Sequence, residues 1–152
     1  MKQKYLIGGI GVIILLLIVF TIPKYFVSAE TINGKVILAG VEKVAVYHFY
    51  AEKQCYSCRT IKEYAEETVS THFKGELDSG KVIFDSIDIS LPENKELATK
   101  YDAKGSSLII GVYYEDGIFT KKEDTAVWYK INDKDDFVFY LKDVIETKFT
   151  GA

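Results

Sequence analysis

The chain reads as an α/β sandwich on a mixed central sheet, with elements in the order β-α-β-α-β-β-α, preceded by an N-terminal transmembrane or signal segment. Three observations carry that reading. β-branched and aromatic runs alternate with helix-periodic stretches, a Glu115-Asp116-Gly117 turn joins two strand-like runs late in the chain, and the first 29 residues hold a long uncharged apolar run.

The N-terminal segment comes first. Tyr5 to Ile22 carries no charge and is followed by Pro23 and Lys24. As a helix these residues would extend about 27 Å, close to the ~30 Å hydrocarbon core of a bilayer. Lys2, Lys4 and the N-terminal amine outnumber Lys24, so the positive-inside bias keeps the N-terminus cytoplasmic and sends the domain outward. Val27-Ser28-Ala29 also has the small-residue spacing read by a signal peptidase, with cleavage before Glu30. Residues 1–29 are therefore a membrane anchor, contacting lipid through 5–22, or a signal peptide of a secreted domain. Residues 30–43 read as a tether, although Gly34 and Gly40 would also suit a short edge strand.

The domain proper spans 44–152. Val44 to Tyr50 is apolar on both faces, as in a central strand covered on both sides. From Cys55 to Phe73, Ile61, Tyr64, Ala65, Thr68, Val69 and Phe73 recur at helical spacing, with Lys62, Glu63, Glu66 and Glu67 between them, which predicts an amphipathic helix. Gly75 to Gly80 reads as a turn-rich break and Val82 to Ile89 as a second strand. Pro92 opens a short helix that runs from Glu93 to Tyr101. Leu108 to Tyr114 is a third strand, and Ile118 to Ile131, including Trp128, the remaining β material. Asp133 caps a last helix, Lys134 to Phe149, whose inner face carries Phe137, Tyr140, Leu141, Val144 and Ile145. The βαβα run predicts a parallel strand pair, and the hairpin adds an antiparallel edge.

Charge excludes one class of function. Without residues 1–29 the chain keeps 16 basic and 22 acidic residues, a net charge of −6, and it has no basic-aromatic patch. An acidic domain of this kind is not a nucleic-acid binder.

Chemistry concentrates in Cys55-Tyr56-Ser57-Cys58, which holds the chain's two cysteines and lies between the first strand and the amphipathic helix. At a helix N-terminus the free N–H groups and the dipole favour an anion, so Cys55 is expected to have a depressed pKa. Cys58, one turn later, is expected to be buried and protonated and to resolve a mixed disulfide on Cys55. Two other readings remain. A structural disulfide across so short a gap removes little denatured-state entropy. A zinc site needs about four ligands, and only His48 and His72 lie near enough in sequence to join the cysteines.

From Val44 to Phe149 these features resemble the thioredoxin superfamily. The likeness is carried by Tyr50-Ala51-Glu52 running into Cys-x-x-Cys and Arg59, and by Asp88 to Ile110 with Asn94, Leu97, Ala98, Tyr101 and Gly105. It implies a thioredoxin-like fold with Cys55 as nucleophile and Cys58 as resolving thiol. The sequence departs from the family's pattern in three places. Gly105-Ser106-Ser107-Leu108 has Ser107 where the family carries a cis-proline facing the cysteines, so the loop is expected to be trans, with Ser106 and Ser107 as a substrate loop. Gln54 replaces a tryptophan, and Tyr56-Ser57 replaces Gly-Pro. His48 takes the place of the buried acid that relays a proton from the second cysteine. It is either such a relay, with an ordinary pKa near 6.5, or a strand histidine bonded to a neighbour. His72 reads as a helix-end surface residue.

Within the superfamily, Pro92 to Ala98, the Gly-Ser-Ser-Leu loop and the Trp128 strand are similar to small ArsF-like proteins, nitrophenyl-compound nitroreductase subunits. No flavin or nicotinamide fingerprint is present, so no cofactor is assigned, and nitroreductase chemistry would need a partner that supplies one. The function expected is extracytoplasmic thiol–disulfide exchange with protein thiol or disulfide partners and a membrane electron donor. Alternatives are a metal or iron–sulfur module, with two chains sharing four thiolates, and a redox-inert interaction domain. The full chain should stay with membranes in high salt, whereas protein beginning near Glu30 should be soluble. Fractionation tests this, and a native N-terminus at Glu30 would replace the anchor with a cleaved signal.

Overall fold

The computed structural model describes residues 40–150. The expected anchor or signal segment, and the tether up to residue 39, lie outside them. Among the described residues no helix is long and apolar enough to cross a membrane.

Strand β1, Val41–Tyr50, starts three residues earlier than its apolar run predicts. Its entry is fixed at Gly40, whose φ of 117° suits glycine and whose carbonyl accepts from the Glu115 amide at 2.7 Å. Helix α1 (Tyr56–His72), the short α2 (Lys74–Asp78) and strand β2 (Val82–Asp88) follow. Next come a 3-10 turn (Pro92–Asn94), α3 (Lys95–Tyr101), β3 (Ser107–Tyr114) and β4 (Phe119–Glu123). A second 3-10 turn (Ala126–Tyr129) leads to α4 (Lys134–Thr150).

The strands lie in the order β2-β1-β3-β4. β1 runs parallel to β2, from Val44↔Val82 to Tyr50↔Asp88, and antiparallel to β3, from Val41↔Tyr114 to Phe49↔Ser107. β4 pairs antiparallel with β3. This is the mixed sheet expected of a thioredoxin-like α/β fold. β1 is its buried centre, which explains why both its faces are apolar.

Alternation along β1 divides the core. Val44 and Val46 face α1 and α4, where Ile61, Ala65, Val69, Phe137, Leu141 and Ile145 close over them. Each of these side chains larger than Ala65 contributes about 1.5–3 kcal/mol by leaving water. Ala45 and Phe49 face the other way, onto Ile87, Tyr101 and Ile109. His48 lies on the α1 side and is only 1% exposed.

Two sequence expectations change. The Gly75–Gly80 break contains the short helix α2, with Lys74 and Asp78 paired at 3.2 Å across one turn. The β material expected to reach Ile131 ends at Glu123, and Trp128 sits in a 3-10 turn. Asp124 is the cause. Its amide donates to the Leu108 carbonyl at 2.8 Å, while its carboxylate accepts from the Ala126 amide at 3.1 Å and from the Tyr140 hydroxyl at 3.0 Å. These bonds turn the chain off the sheet and fix it to α4.

Gly111 is needed for close approach rather than for its backbone angles. A Cβ there would come within 2.8 Å of ring carbons of Tyr101, which is buried and whose hydroxyl is hydrogen-bonded to that of Tyr113 at 3.0 Å. Gly111→Ala should therefore cost about 1–3 kcal/mol. The expected result is a lower urea midpoint at unchanged m-value; an unchanged midpoint would mean that the Tyr101 ring gives way freely.

Candidate functional site

β1 delivers the chain at Tyr50, and residues 51–54 turn it into α1. Cys55 is the N-cap of that helix, with φ −74° and ψ 170°, and its sulfur accepts the Cys58 amide at 3.3 Å. A sulfur thus occupies the position usually held by a capping oxygen, and one of the helix's unpaired N–H groups is satisfied by the residue expected to react. Both cysteines are free thiols, Cys55 exposed and Cys58 buried. Tyr56, between them, is 70% exposed.

The Cys58 thiol departs from expectation. Burial pushes it up, but hydrogen bonds from the Cys55 side chain, the Ser106 side chain and the backbone of Cys55 and Cys58 outweigh burial, and it lies below the ordinary thiol value. The burial expected of Cys58 is present, but its thiol is shifted down and not up.

The loop ahead of β3 contains no cis peptide bond, as expected with Ser107 in place of proline. Ser107 pairs with Phe49, is 5% exposed, and donates through Oγ to its own loop at the Gly105 carbonyl, 3.3 Å away.

His48 Nδ1 lies 3.0 Å from Ser86 Oγ on β2, and its ring stacks on Tyr50 with centroids 5.7 Å apart. Nε2 is buried without a partner. Burial, reinforced by the Lys62 ammonium on α1, pulls the imidazole down to about 4. It is therefore neutral at physiological pH, not poised near 6.5, and it has the strand-neighbour bond that was the other expectation. Ser86 was missed, although the parallel register His48↔Ser86 follows once the two strands are paired. His72 is exposed in the last turn of α1.

Beside the cysteines, Glu52, Gln54, Arg59, Lys62, Glu63 and Glu66 line an open groove of about 550 Å³. Gln54 is part of this polar wall. Among the described residues no group of three or more His, Cys, Asp or Glu side chains is placed to hold a metal ion.

No family model matches the chain, and no curated protein matches it. Similar solved structures include the zinc-bound form of human ERp44, with 20% identity over 66% of this chain and a TM-score of 0.43. This chain spans 27% of that one. A thioredoxin from Thermus thermophilus has 16% identity, 70% and 76% coverage of the two chains, and a TM-score of 0.42. A disulphide isomerase from Xylella fastidiosa Temecula1 has 14% identity, 68% and 79% coverage, and a TM-score of 0.43.

His48 links the site to acid stability. Its folded pKa of about 4 lies below the ordinary 6.5, so the neutral ring favours the fold. That contribution is fully present above pH 6.5 and is lost as pH falls from about 6.5 to 4, up to ~3 kcal/mol in total. Urea midpoints at pH 7.5 and 4.5 should differ more for the wild-type protein than for His48→Asn; equal differences would mean that His48 is not held neutral by the fold.

Proposed function

We propose that this protein is an extracytoplasmic, membrane-tethered thiol–disulfide oxidoreductase working through Cys55 and Cys58. The observation that carries the reading is the inequality of the two sulfurs: Cys55 is exposed at the helix N-cap, and Cys58 is buried one turn inside and hydrogen-bonded. Exchange chemistry uses such inequality. The exposed sulfur meets the substrate and the inner one closes or opens the intramolecular disulfide, each step passing an electron pair from an attacking thiolate to a leaving sulfur. A purely structural disulfide needs no such asymmetry.

In this reading the partners are proteins carrying a disulfide or a dithiol, and a membrane electron donor or acceptor resets the pair. The apolar run in the sequence of residues 5–22 supports a domain held outside the cytoplasm, where disulfides persist. Tyr56 and the polar groove at Gln54 are the surfaces a partner would meet first. The ArsF-like segments make a nitroreductase-type redox system one setting for the protein, with the cofactor held by a partner. His48 is a neutral buried group on the α1 side of β1 and does not hold the pair's proton at neutral pH.

Trapping tests the assignment. Cys58→Ser should accumulate mixed disulfides through Cys55, and Cys55→Ser should accumulate almost none. In the reduced wild-type protein, iodoacetamide at pH 7 should modify Cys55 well ahead of Cys58. If neither variant traps a partner and both only lose stability, the pair is structural; if both lose bound metal alike, it is a metal site.

A further inference from the structure

The sheet has a second face that the cysteine chemistry does not use. α1 and α4 cover one side; among the described residues the other side is covered by α3, seven residues long. There the Tyr113 ring meets two ammonium groups, Lys43 from β1 and Lys100 from α3, each 4.5 Å from its centroid. Lys100 also lies 4.6 Å from the Phe119 ring, and the Lys121 ammonium on β4 donates to the Lys100 carbonyl at 2.8 Å. Among the described residues none of the three lysines is in an ion pair. The sequence has no basic-aromatic stretch, yet the fold assembles one from residues far apart in the chain.

The patch lies at the end of the sheet opposite the cysteines. Lys43, near the start of β1, pairs with Tyr113 near the end of β3, whereas Cys55 follows the far end of β1 at Tyr50. The β3–β4 turn at the patch end presents Ile118, 56% exposed, and the Glu115 amide of that turn donates to the Gly40 carbonyl at 2.7 Å. The chain therefore enters the domain beside the patch. Seventeen residues, 23–39, separate Gly40 from Ile22, the last of the uncharged run. Even fully extended they span at most about 60 Å, so a chain anchored through that run keeps this end near the bilayer.

Lysines beside aromatic rings and an exposed aliphatic side chain suit a layer of anionic lipid headgroups. Asp85 and Glu123 stand farther toward the cysteine end, and Glu115 and Asp116 are the acids of the turn, where the Asp116 carboxylate accepts from the Ile118 amide at 3.0 Å. Attraction across a Debye length of about 8 Å is set by the groups at the patch, not by the acidic total of the domain.

We propose that this end of the domain, through Lys43, Lys100 and Lys121 with Tyr113 and Ile118, rests on the anionic headgroups of the bilayer that anchors the chain. The proposal rests on the membrane-tethered reading above. Each lysine near such a surface adds a modest attraction, and anchoring makes the contact intramolecular, so three act where untethered protein would bind weakly. Cys55, at the other end, stays open to the aqueous side, where a partner's thiol or disulfide meets it.

The test uses the full chain reconstituted in vesicles of phosphatidylcholine, alone or mixed with phosphatidylglycerol. Lysines are acylated with a membrane-impermeant reagent and read by mass spectrometry, and Cys55 is alkylated with iodoacetamide. With phosphatidylglycerol, Lys43, Lys100 and Lys121 should react about three- to tenfold more slowly than in phosphatidylcholine, and high salt should abolish the difference. Lys53, in the turn leading to Cys55, and Cys55 itself should react alike in both. Lys100→Gln combined with Lys121→Gln should lose the slowing at Lys43. Equal lysine rates in the two lipids, or slowing that extends equally to Lys53 and Cys55, overturns docking through this face. The same slowing in phosphatidylcholine vesicles with inorganic phosphate makes the patch a site for a free anion and also overturns it. Protein that neither kind of vesicle retains overturns the membrane reading itself, and this proposal with it.

Discussion

The hydrogen bond from the Cys58 amide to the Cys55 sulfur is the contact on which the rest of the site depends. It makes Cys55 the N-cap of α1, and so sets where the helix begins, how far the sulfur projects, and that Cys58 falls one turn inside. A cap of this kind works only if the strand before it and the helix after it are held at a fixed separation. β1, paired on both sides at the centre of the sheet, and α1, packed through Ile61, Ala65 and Val69, hold them there.

The consequence is a pair whose two sulfurs lie in different media. Cys55 meets solvent, and Cys58 meets protein donors that offset its burial. The same economy is absent at His48, where Ser86 satisfies one ring nitrogen and the other is buried with no partner. A neutral ring tolerates that arrangement; a charged one would lack a hydrogen-bond acceptor at Nε2 and stand under the field of Lys62. Burial is thus compensated at the sulfur and left uncompensated at the imidazole, and their titrations diverge from ordinary values for that reason.

Much of this was legible in the residues because the signals were local. The two-faced apolar run at Val44–Tyr50 reads as a central strand, the three- and four-residue spacing from Ile61 to Val69 as a helix, and Asp133 as a cap, which the Asp133 carboxylate performs by accepting the Asp136 amide at 3.0 Å. What escaped depended on groups distant in sequence. The turn around Trp128 is set by Asp124 with Tyr140, sixteen residues apart, so a β-like run there was overridden by a tertiary bond. Ser86 is thirty-eight residues from His48, and nothing local to either side chain signals their bond.

The reduction potential of the Cys55–Cys58 pair in the wild-type protein bears most directly on the claim that these sulfurs work by exchange. The account predicts a single two-electron couple, more oxidising than the about −300 mV below which structural disulfides of secreted proteins lie. A couple well below that value, or two thiols that oxidise independently of each other, would contradict it.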